Sequence, residues 1–349
     1  SCYRQQLRDF PAALSCYRQG LAIDKEAGEG DGRLTLLKGL GATCWNLGHY
    51  EEAASAFEQA LVIVEANGDR AEQAVIRSSL GVNALSLHRY ATALTHLQEG
   101  LTIAKALGDP RAEGYIMIAL GNVYYEVDDQ RRAKDCYQQA MQLRRRIRDR
   151  QGEGWSLHYL GRSQAEVGEI EEARRLQEQA LHLADEIGDA ELQVGAKLAL
   201  AAVHRHLGGR GAAQTSLRYA QQAVELSRVN GLHREESIGL SHQAMALLLL
   251  SKVEAARTCS EEAVQRLEEA GGSADQRERI WLHHAQVLRV CGQEELAGRY
   301  LRRAYEGVMG RLAAIRDVRV RESMLNSRLV REIMGERAIG GSHDVKVSG

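Results

Sequence analysis

Proline is almost absent from this sequence. Among 349 residues there are only two, Pro11 and Pro110, and each falls at the first residue of a predicted helix. That position tolerates proline, because its backbone N–H would have no partner inside the helix. Within a helix, proline would remove a hydrogen bond and break the element. No predicted helix is therefore interrupted.

Patterns typical of metal sites are also missing. The six cysteines include no CxxC pair, and five of them lie in predicted helices, where small buried thiols are ordinary. The close histidine groupings are His204 with His206 and His283 with His284. Residues one or two positions apart on a helix point in different directions. We therefore expect no metal site.

The sequence has no large excess of charge and no long apolar run. Its formal net charge is −2, so it lacks the positive surplus with which proteins bind nucleic acids or anionic membranes. No stretch is long and apolar enough to cross a membrane. We expect a soluble cytoplasmic protein with neither nucleic acid nor membrane as a direct partner.

Motifs of catalysis are absent as well. The glycine-containing stretches GLGATCWN and GGRGAAQT lack the Gly-Lys-Ser/Thr sequence that would hold phosphate and magnesium. The Glu51-Glu52 and Glu171-Glu172 pairs occupy predicted first turns, where negative charge stabilises a helix. We predict that the chain is not an enzyme and that it needs no cofactor.

What the sequence does contain is a period of forty residues. Gly41 recurs as Gly81, Gly121 and Gly161, and Ala201 continues that column. A second column consists of Ala53, Ala93, Ala133, Ala173 and Ala213. A fixed period of this size is typical of stacked structural repeats.

Each repeat is predicted to be a pair of helices. In the first full copy, apolar residues at three- and four-residue spacing predict one helix over 34–47 and another over 51–67. The Gly68-Asp69 pair follows, and it recurs at Gly108-Asp109 and Gly188-Asp189. Glycine adopts the left-handed conformation that ends a helix, and aspartate then caps the next one. At Arg148-Asp149 the glycine is lost and the cap remains.

This pattern resembles the tetratricopeptide repeat, whose usual length is 34 residues. The family's Leu-Gly pair matches Leu40-Gly41, and its second-helix alanines match Ala53 and Ala60. The family's closing proline is absent, which points to a longer subclass of about forty residues. The chain is similar to the carboxyl-terminal arrays of bacterial multidomain signalling regulators and to the arrays of eukaryotic spindle-orienting adaptors.

The resemblance implies an all-α, right-handed superhelical solenoid of antiparallel helix pairs. We expect five segments along the chain: a truncated first repeat (1–30), four regular repeats (31–189), three degenerate repeats (190–312), a capping helix (313–338) and a disordered tail (339–349).

The array begins in mid-repeat and without methionine. We therefore also expect an upstream effector domain in a longer full-length protein.

The resemblance further implies a concave groove lined by the first helices of the pairs. Aromatic residues and arginine dominate the energetics of such interfaces. The alternative is that Trp45 and Trp155 pack between neighbouring first helices. The groove residues carried over from the family are Lys38, Trp45, Asn46, Tyr115, Asn122, Tyr125, Trp155, His158 and Arg162.

Two functions are compatible with this pattern. The leading hypothesis is a scaffold that binds a protein or peptide segment in the groove, as the sensing or docking segment of a larger bacterial signalling or transcriptional regulator. The alternative is a peptide-pheromone receptor module, in which ligand-dependent closure of the superhelix controls an attached effector domain.

Overall fold

A computed structural model of the protein describes residues 10–27, 32–269, 276–315 and 318–344. In these residues the backbone forms seventeen α-helices and no strand. None of the described helices is both long and apolar enough to span a membrane. In chain order the helices are α1 Phe10–Ala27, α2 Arg33–Asn46, α3 Tyr50–Ala66, α4 Arg70–Ser86, α5 Tyr90–Leu107, α6 Pro110–Glu126, α7 Gln130–Arg146, α8 Arg150–Glu166, α9 Ile170–Ile187, α10 Ala190–Leu207, α11 Gly209–Asn230, α12 His233–Leu249, α13 Val253–Glu269, α14 Arg277–Val290, α15 Glu294–Ala314, α16 Val318–Leu325 and α17 Arg328–Asp344.

From α2 to α15 the even-numbered helices correspond to the predicted first helices of the seven repeat copies and the odd-numbered helices to the second. Successive first helices begin at Arg70, Pro110, Arg150 and Ala190, in step with the forty-residue period. Helix α1 corresponds to the second helix of a preceding pair, and the predicted first helix of that pair lies outside the described residues. The all-α, helical-repeat fold expected from the sequence is confirmed.

The residues predicted to end one helix pair and to cap the next have the expected conformations and hydrogen bonds. The Asp69 carboxylate accepts the backbone N–H of Glu72 at 3.0 Å, and Asp149 and Asp189 make the equivalent caps. Gly68 has a φ of 70°, the left-handed conformation that ends a helix. Arg148 has a φ of 56° at the equivalent position, so an L-residue there adopts a backbone conformation that glycine adopts more easily.

The glycine column of the first helices allows close helix packing. A Cβ built on Gly41 would lie 2.6 Å from the Phe57 ring of the paired helix. One period on, a Cβ on Gly81 would lie 2.5 Å from Leu97. Real Cβ atoms do not approach neighbours so closely, so these positions exclude larger residues.

Contacts divide the chain into two compact units. Unit 1 comprises Ser1–Tyr124 with Gln139–Arg148, and unit 2 comprises Tyr125–Gln138 with Asp149–Gly349. In unit 1 one core cluster contains Leu37, Cys44 and Phe57 with surrounding apolar side chains. In unit 2 the consecutive first helices α8, α10, α12 and α14 contact each other side by side, so they form one layer.

The carboxyl end differs from the single capping helix predicted over 313–338. Helix α15 continues to Ala314, and two helices follow it, α16 and α17. The break falls at Asn326 and Ser327, and the Asn326 side-chain amide donates to the Glu322 carbonyl at 3.0 Å. The tail predicted to be disordered from residue 339 is instead helical as far as Asp344, and residues 345–349 lie outside the described residues.

Helix α17 packs against α15, as a capping element would. Val330 and Ile333 on α17 are 4% and 1% exposed. Val287 and Leu288 on α14 are also buried. The last pair therefore has an apolar neighbour in α17.

Candidate functional site

In unit 1, three of the sequence-predicted groove residues make local contacts. The Lys38 ammonium pairs with Glu72 on the next first helix at 2.5 Å. The Trp45 indole N–H donates to Ser86 Oγ at 3.1 Å, and its ring packs against the core of unit 1. The exposed Asn46 donates to the Ala42 carbonyl within its own helix. Trp45 thus has a packing role between neighbouring first helices.

Two large apolar side chains of unit 1 are exposed at the same column of the repeat. Val75 on α4 is 46% exposed and Tyr115 on α6 is 51% exposed, and forty residues separate them in sequence. The apolar residues of the packing stripes on these helices, such as Ile76 and Ile116, are 1% exposed. Asn122, further along α6, is partly buried. This column therefore presents apolar side chains at the surface of unit 1.

In unit 2, the structure brings together two of the predicted residues, Tyr125 and Arg162. The guanidinium carbon of Arg162 lies 4.9 Å from the centre of the Tyr125 ring, a cation–π distance. The Tyr125 hydroxyl donates to Glu166 Oε1 at 3.3 Å. Burial, with the nearby Glu166 carboxylate, raises the pKa of Tyr125, so this hydroxyl keeps its proton.

His158 does not belong to the groove, and its assignment from the sequence was wrong. It is 5% exposed, and its Nδ1 lies 2.9 Å from Gln177 Oε1 on the paired helix. The Gln177 amide in turn donates to the His158 backbone carbonyl. Burial, followed by the charge of Arg162, lowers the pKa of His158 to about 3. The histidine is a neutral core residue whose polar atoms are satisfied inside its own pair.

Trp155 shares the surroundings of His158. Its ring stacks on Tyr159 at a centroid distance of 5.8 Å and meets the His158 ring edge at the same distance. The indole is partly buried. Aromatic packing on its own helix therefore accounts for this tryptophan.

Ion pairs join the seventh repeat copy to earlier parts of unit 2. Arg279, near the start of α14, lies 3.6 Å from Glu166 at the end of α8. Arg311, near the end of α15, lies between Glu126 and Glu278, at 3.9 and 3.4 Å. Both arginine side chains are largely buried, at 12–15% exposed. Glu126 and Glu166 are thus paired with arginines of the same chain.

The carboxyl-terminal helices of unit 2 also form hydrogen bonds with earlier parts of that unit. The Ser323 hydroxyl on α16 donates to the Asp128 carbonyl. On α17, Arg328 donates to His206 Nδ1 at 3.0 Å. Glu336 accepts from Gln286 and from Arg289 on α14.

Sequence reasoning missed Arg205 and His206 although a signal was available. Ala165 and Glu166 are the equivalents of the predicted groove residues Trp45 and Asn46 in the fourth copy. Forty residues later, the same two positions hold Arg205 and His206. The repeat loosens just after them, at Gly208 and Gly209, which obscures the period in that copy. Carrying the period one step further would have placed both residues.

One group of residues in unit 1 has metal-ligand chemistry. Possible ligand atoms of Cys44, His49 and Glu52 lie within 4.8 Å of one another. Arg18, however, donates three hydrogen bonds to the Glu52 carboxylate. Burial, with the nearby Glu52 carboxylate, raises the pKa of Cys44 to about 11, which disfavours the thiolate that binds metals. The geometry therefore favours an ion pair over a metal site.

Comparison with known proteins agrees with this architecture. The family model of the tetratricopeptide repeat matches residues 1–66, 72–146 and 115–186, which together make up more than half of the chain. The chain belongs to the tetratricopeptide-repeat family. No curated protein matches its sequence.

Several solved structures of this family share the fold. A Rap protein complexed with Competence and Sporulation Factor has a TM-score of 0.66 at 13% identity, covering 88% of this chain and 89% of that one. A Rap conjugation gene regulator of the plasmid pLS20, in complex with the Phr* peptide, has a TM-score of 0.58 at 17% identity, covering 77% and 73%.

A third similar structure is a signal transduction ATPase with numerous domains from Pyrococcus horikoshii, which carries a tetratricopeptide-repeat sensor. Its TM-score is 0.55 at 17% identity. The match covers 78% of this chain but only 43% of that protein. At these identities the three likenesses establish the shared fold.

Proposed function

We propose that this tetratricopeptide-repeat protein is a non-catalytic scaffold that binds a peptide segment of a partner protein on the first helices of unit 1. The observation that carries the proposal is the exposure of Val75 and Tyr115 in one repeat column. Lys38, Asn46 and Asn122 extend that surface with a cation and two amides. Such a mixed surface suits an extended or amphipathic peptide.

The solved neighbours support this kind of partner. Two of them are described in complex with a factor or a peptide, so the shared fold is suited to peptide recognition. A third carries its repeats as a sensor within a signal transduction ATPase. We accordingly propose that the chain serves as the sensing or docking segment of a signalling regulator. The second candidate is a peptide receptor whose ligand changes the conformation of an attached effector.

A selection of displayed peptides against the whole chain tests the binding surface. Peptides selected on the wild type should bind a Val75→Ser/Tyr115→Ser variant at least about tenfold more weakly, because the apolar area they bury is lost. The matched control is Val62→Ser, since Val62 is 67% exposed on the second helix α3. This control should bind like the wild type.

Two results would decide against the proposal. Equal binding by the wild type and both variants would place the site elsewhere on the chain. Loss of binding in the Val62→Ser variant alone would assign recognition to the second helices. Circular dichroism of all variants establishes that the helices are retained. For the receptor alternative, small-angle scattering should change on addition of a selected peptide, whereas a passive scaffold would keep its scattering profile.

A further inference from the structure

Two hydrogen-bond donors face each other inside unit 2. Arg328 can only donate, so His206 Nδ1, 3.0 Å away, must accept. Neutral His206 then carries its proton on Nε2. That nitrogen lies 3.5 Å from Nη2 of Arg205, which is also a donor. Because both atoms are donors, they cannot form a hydrogen bond with each other. Each of them needs a nearby acceptor atom.

His206 is neutral at neutral pH, so its Nε2 and the Arg205 Nη2 are both hydrogen-bond donors. Burial, followed by the charges of Arg205 and Arg328, lowers its pKa to about 3. Protonation would not relieve the conflict, because both ring nitrogens of the charged form are donors. An oxygen acceptor seated beside Nε2 and Nη2 would satisfy both groups.

Two more buried nitrogen atoms in this region have no partner. Arg205 Nε and His242 Nδ1 each lack a hydrogen-bond partner within the described part of the chain. His242 is 6% exposed, and Arg205 and Arg279 both act on it electrostatically. The hydroxyl of neighbouring Ser241 is already engaged by His283 Nδ1 at 2.8 Å. A buried polar atom without a partner costs free energy.

The charges around Arg205 do not balance. Close to Arg205, Arg328 pairs with Glu332 at 2.9 Å and Arg279 pairs with Glu166 at 3.6 Å, and all four charges act on Arg205. With Arg205 itself, three positive charges stand against two negative ones. Burial, followed by Arg279, lowers the pKa of Arg205 to about 10, so the guanidinium is still charged at neutral pH. One negative charge is missing from this cluster.

We propose that Arg205, His206 and His242 form a binding site for a single carboxylate group. The carboxylate would accept from Arg205 and from His206 Nε2, with His242 Nδ1 as a further donor, and its charge would balance the cluster. This site belongs to unit 2, whereas the proposed peptide surface belongs to unit 1, and the two proposals are independent. The carboxylate can come from a free small acid or from an acidic side chain of a polypeptide.

Thermal unfolding of the full chain tests the site with acetate as the probe. The melting temperature of the wild type should be higher in sodium acetate than in sodium chloride of equal ionic strength. In Arg205→Met this difference should vanish, and the variant should melt above the wild type in chloride, because an uncompensated buried charge is gone. Arg218→Met is the control, since Arg218 is exposed on α11. It should keep the full acetate response.

A second pair of probes separates the two sources of the carboxylate. Capped tetraglutamate should stabilise the wild type, and capped tetraglutamine should not. If tetraglutamate acts at far lower concentration than acetate, the natural ligand is a polypeptide side chain. If tetraglutamate and acetate stabilise the protein equally per carboxylate group, the natural ligand is a small acid.

The proposal fails if acetate stabilises the wild type, Arg205→Met and Arg218→Met equally, because the effect is then general. It also fails if acetate has no effect on the wild type. Should Arg205→Met not fold, His242→Phe decides, since it removes another proposed donor and should reduce the acetate response. An unchanged response in that variant would overturn the assignment.

Discussion

Arg279 and Glu166 form an ion pair of 3.6 Å between the first helix of the seventh repeat and that of the fourth. Two first helices, α10 and α12, lie between them in the chain. Glu166 also accepts from the Tyr125 hydroxyl. A contact of this kind is unusual in a repeat protein, in which each repeat is expected to contact only its neighbours. Unit 2 is therefore stabilised by more than nearest-neighbour packing.

Replacing Glu166 by glutamine should destabilise the protein by about 2 kcal/mol, because Arg279 is left largely buried without its counter-charge. The Arg279→Gln substitution in the same chain should recover part of this loss. Urea unfolding of the wild type, both single variants and the double variant measures the coupling, which we expect to be about 1 kcal/mol or more. Strict additivity of the two losses would contradict an energetic role for the pair.

Ile333 should anchor the carboxyl-terminal helix α17. Ile333→Ala removes a side chain that is 1% exposed and should lower the free energy of unfolding by about 2–5 kcal/mol. The adjacent Met334 is 48% exposed, so Met334→Ala should be nearly neutral. Equal unfolding curves for the two variants would mean that α17 does not cover the last helix pair in solution.

The glycine column should tolerate no side chain, whereas an exposed helical glycine should. Gly81→Ala places a Cβ 2.5 Å from Leu97 and 3.3 Å from the Ala93 carbonyl, which should cost about 1–3 kcal/mol. At Gly298 on α15 nothing lies within 4 Å of the added atom. Gly298→Ala should therefore stabilise the protein by about 0.5–1 kcal/mol through helix propensity. Differential scanning calorimetry of the two variants should show melting shifts of opposite sign.

Acid should destabilise unit 2 well before its carboxylates are protonated. Burial lowers the pKa of His158 to about 3 in the folded state, while an exposed histidine titrates near 6.5. Between these values the unfolded chain binds a proton that the folded chain does not, so stability is lost as the pH falls below about 6.5. For His158 alone the loss at pH 5 is about 2 kcal/mol.

Urea unfolding of His158→Gln at pH 7.5 and pH 5 checks this assignment. The stability difference between the two pH values should be smaller in the variant than in the wild type by about 2 kcal/mol. His182→Gln is a suitable control, because its side chain is 77% exposed. A variant with the same pH dependence as the wild type would show that His158 is protonated in the folded protein.

The sequence alone was sufficient to predict the repeat and the residues at which its helices start. The recurrence of Gly41 and Ala53 at forty-residue intervals predicted the helix pairs, because small residues are needed wherever two helices approach closely. Asp69 and its equivalents predicted the helix starts, since a cap acts on amides only two or three residues away. Such local rules do not depend on the rest of the fold.

Only the tertiary structure decided which polar residues face inward and what they meet. His158 occupies a groove column in the sequence, yet it turns into its own helix pair because Gln177 offers a matching amide. Arg205 and His206 come together with Arg328 of α17, which is 122 residues from His206 in the chain. The periodic pattern specifies the stacking of neighbours. It says nothing about contacts between distant copies, and in unit 2 those contacts bring the buried charges together.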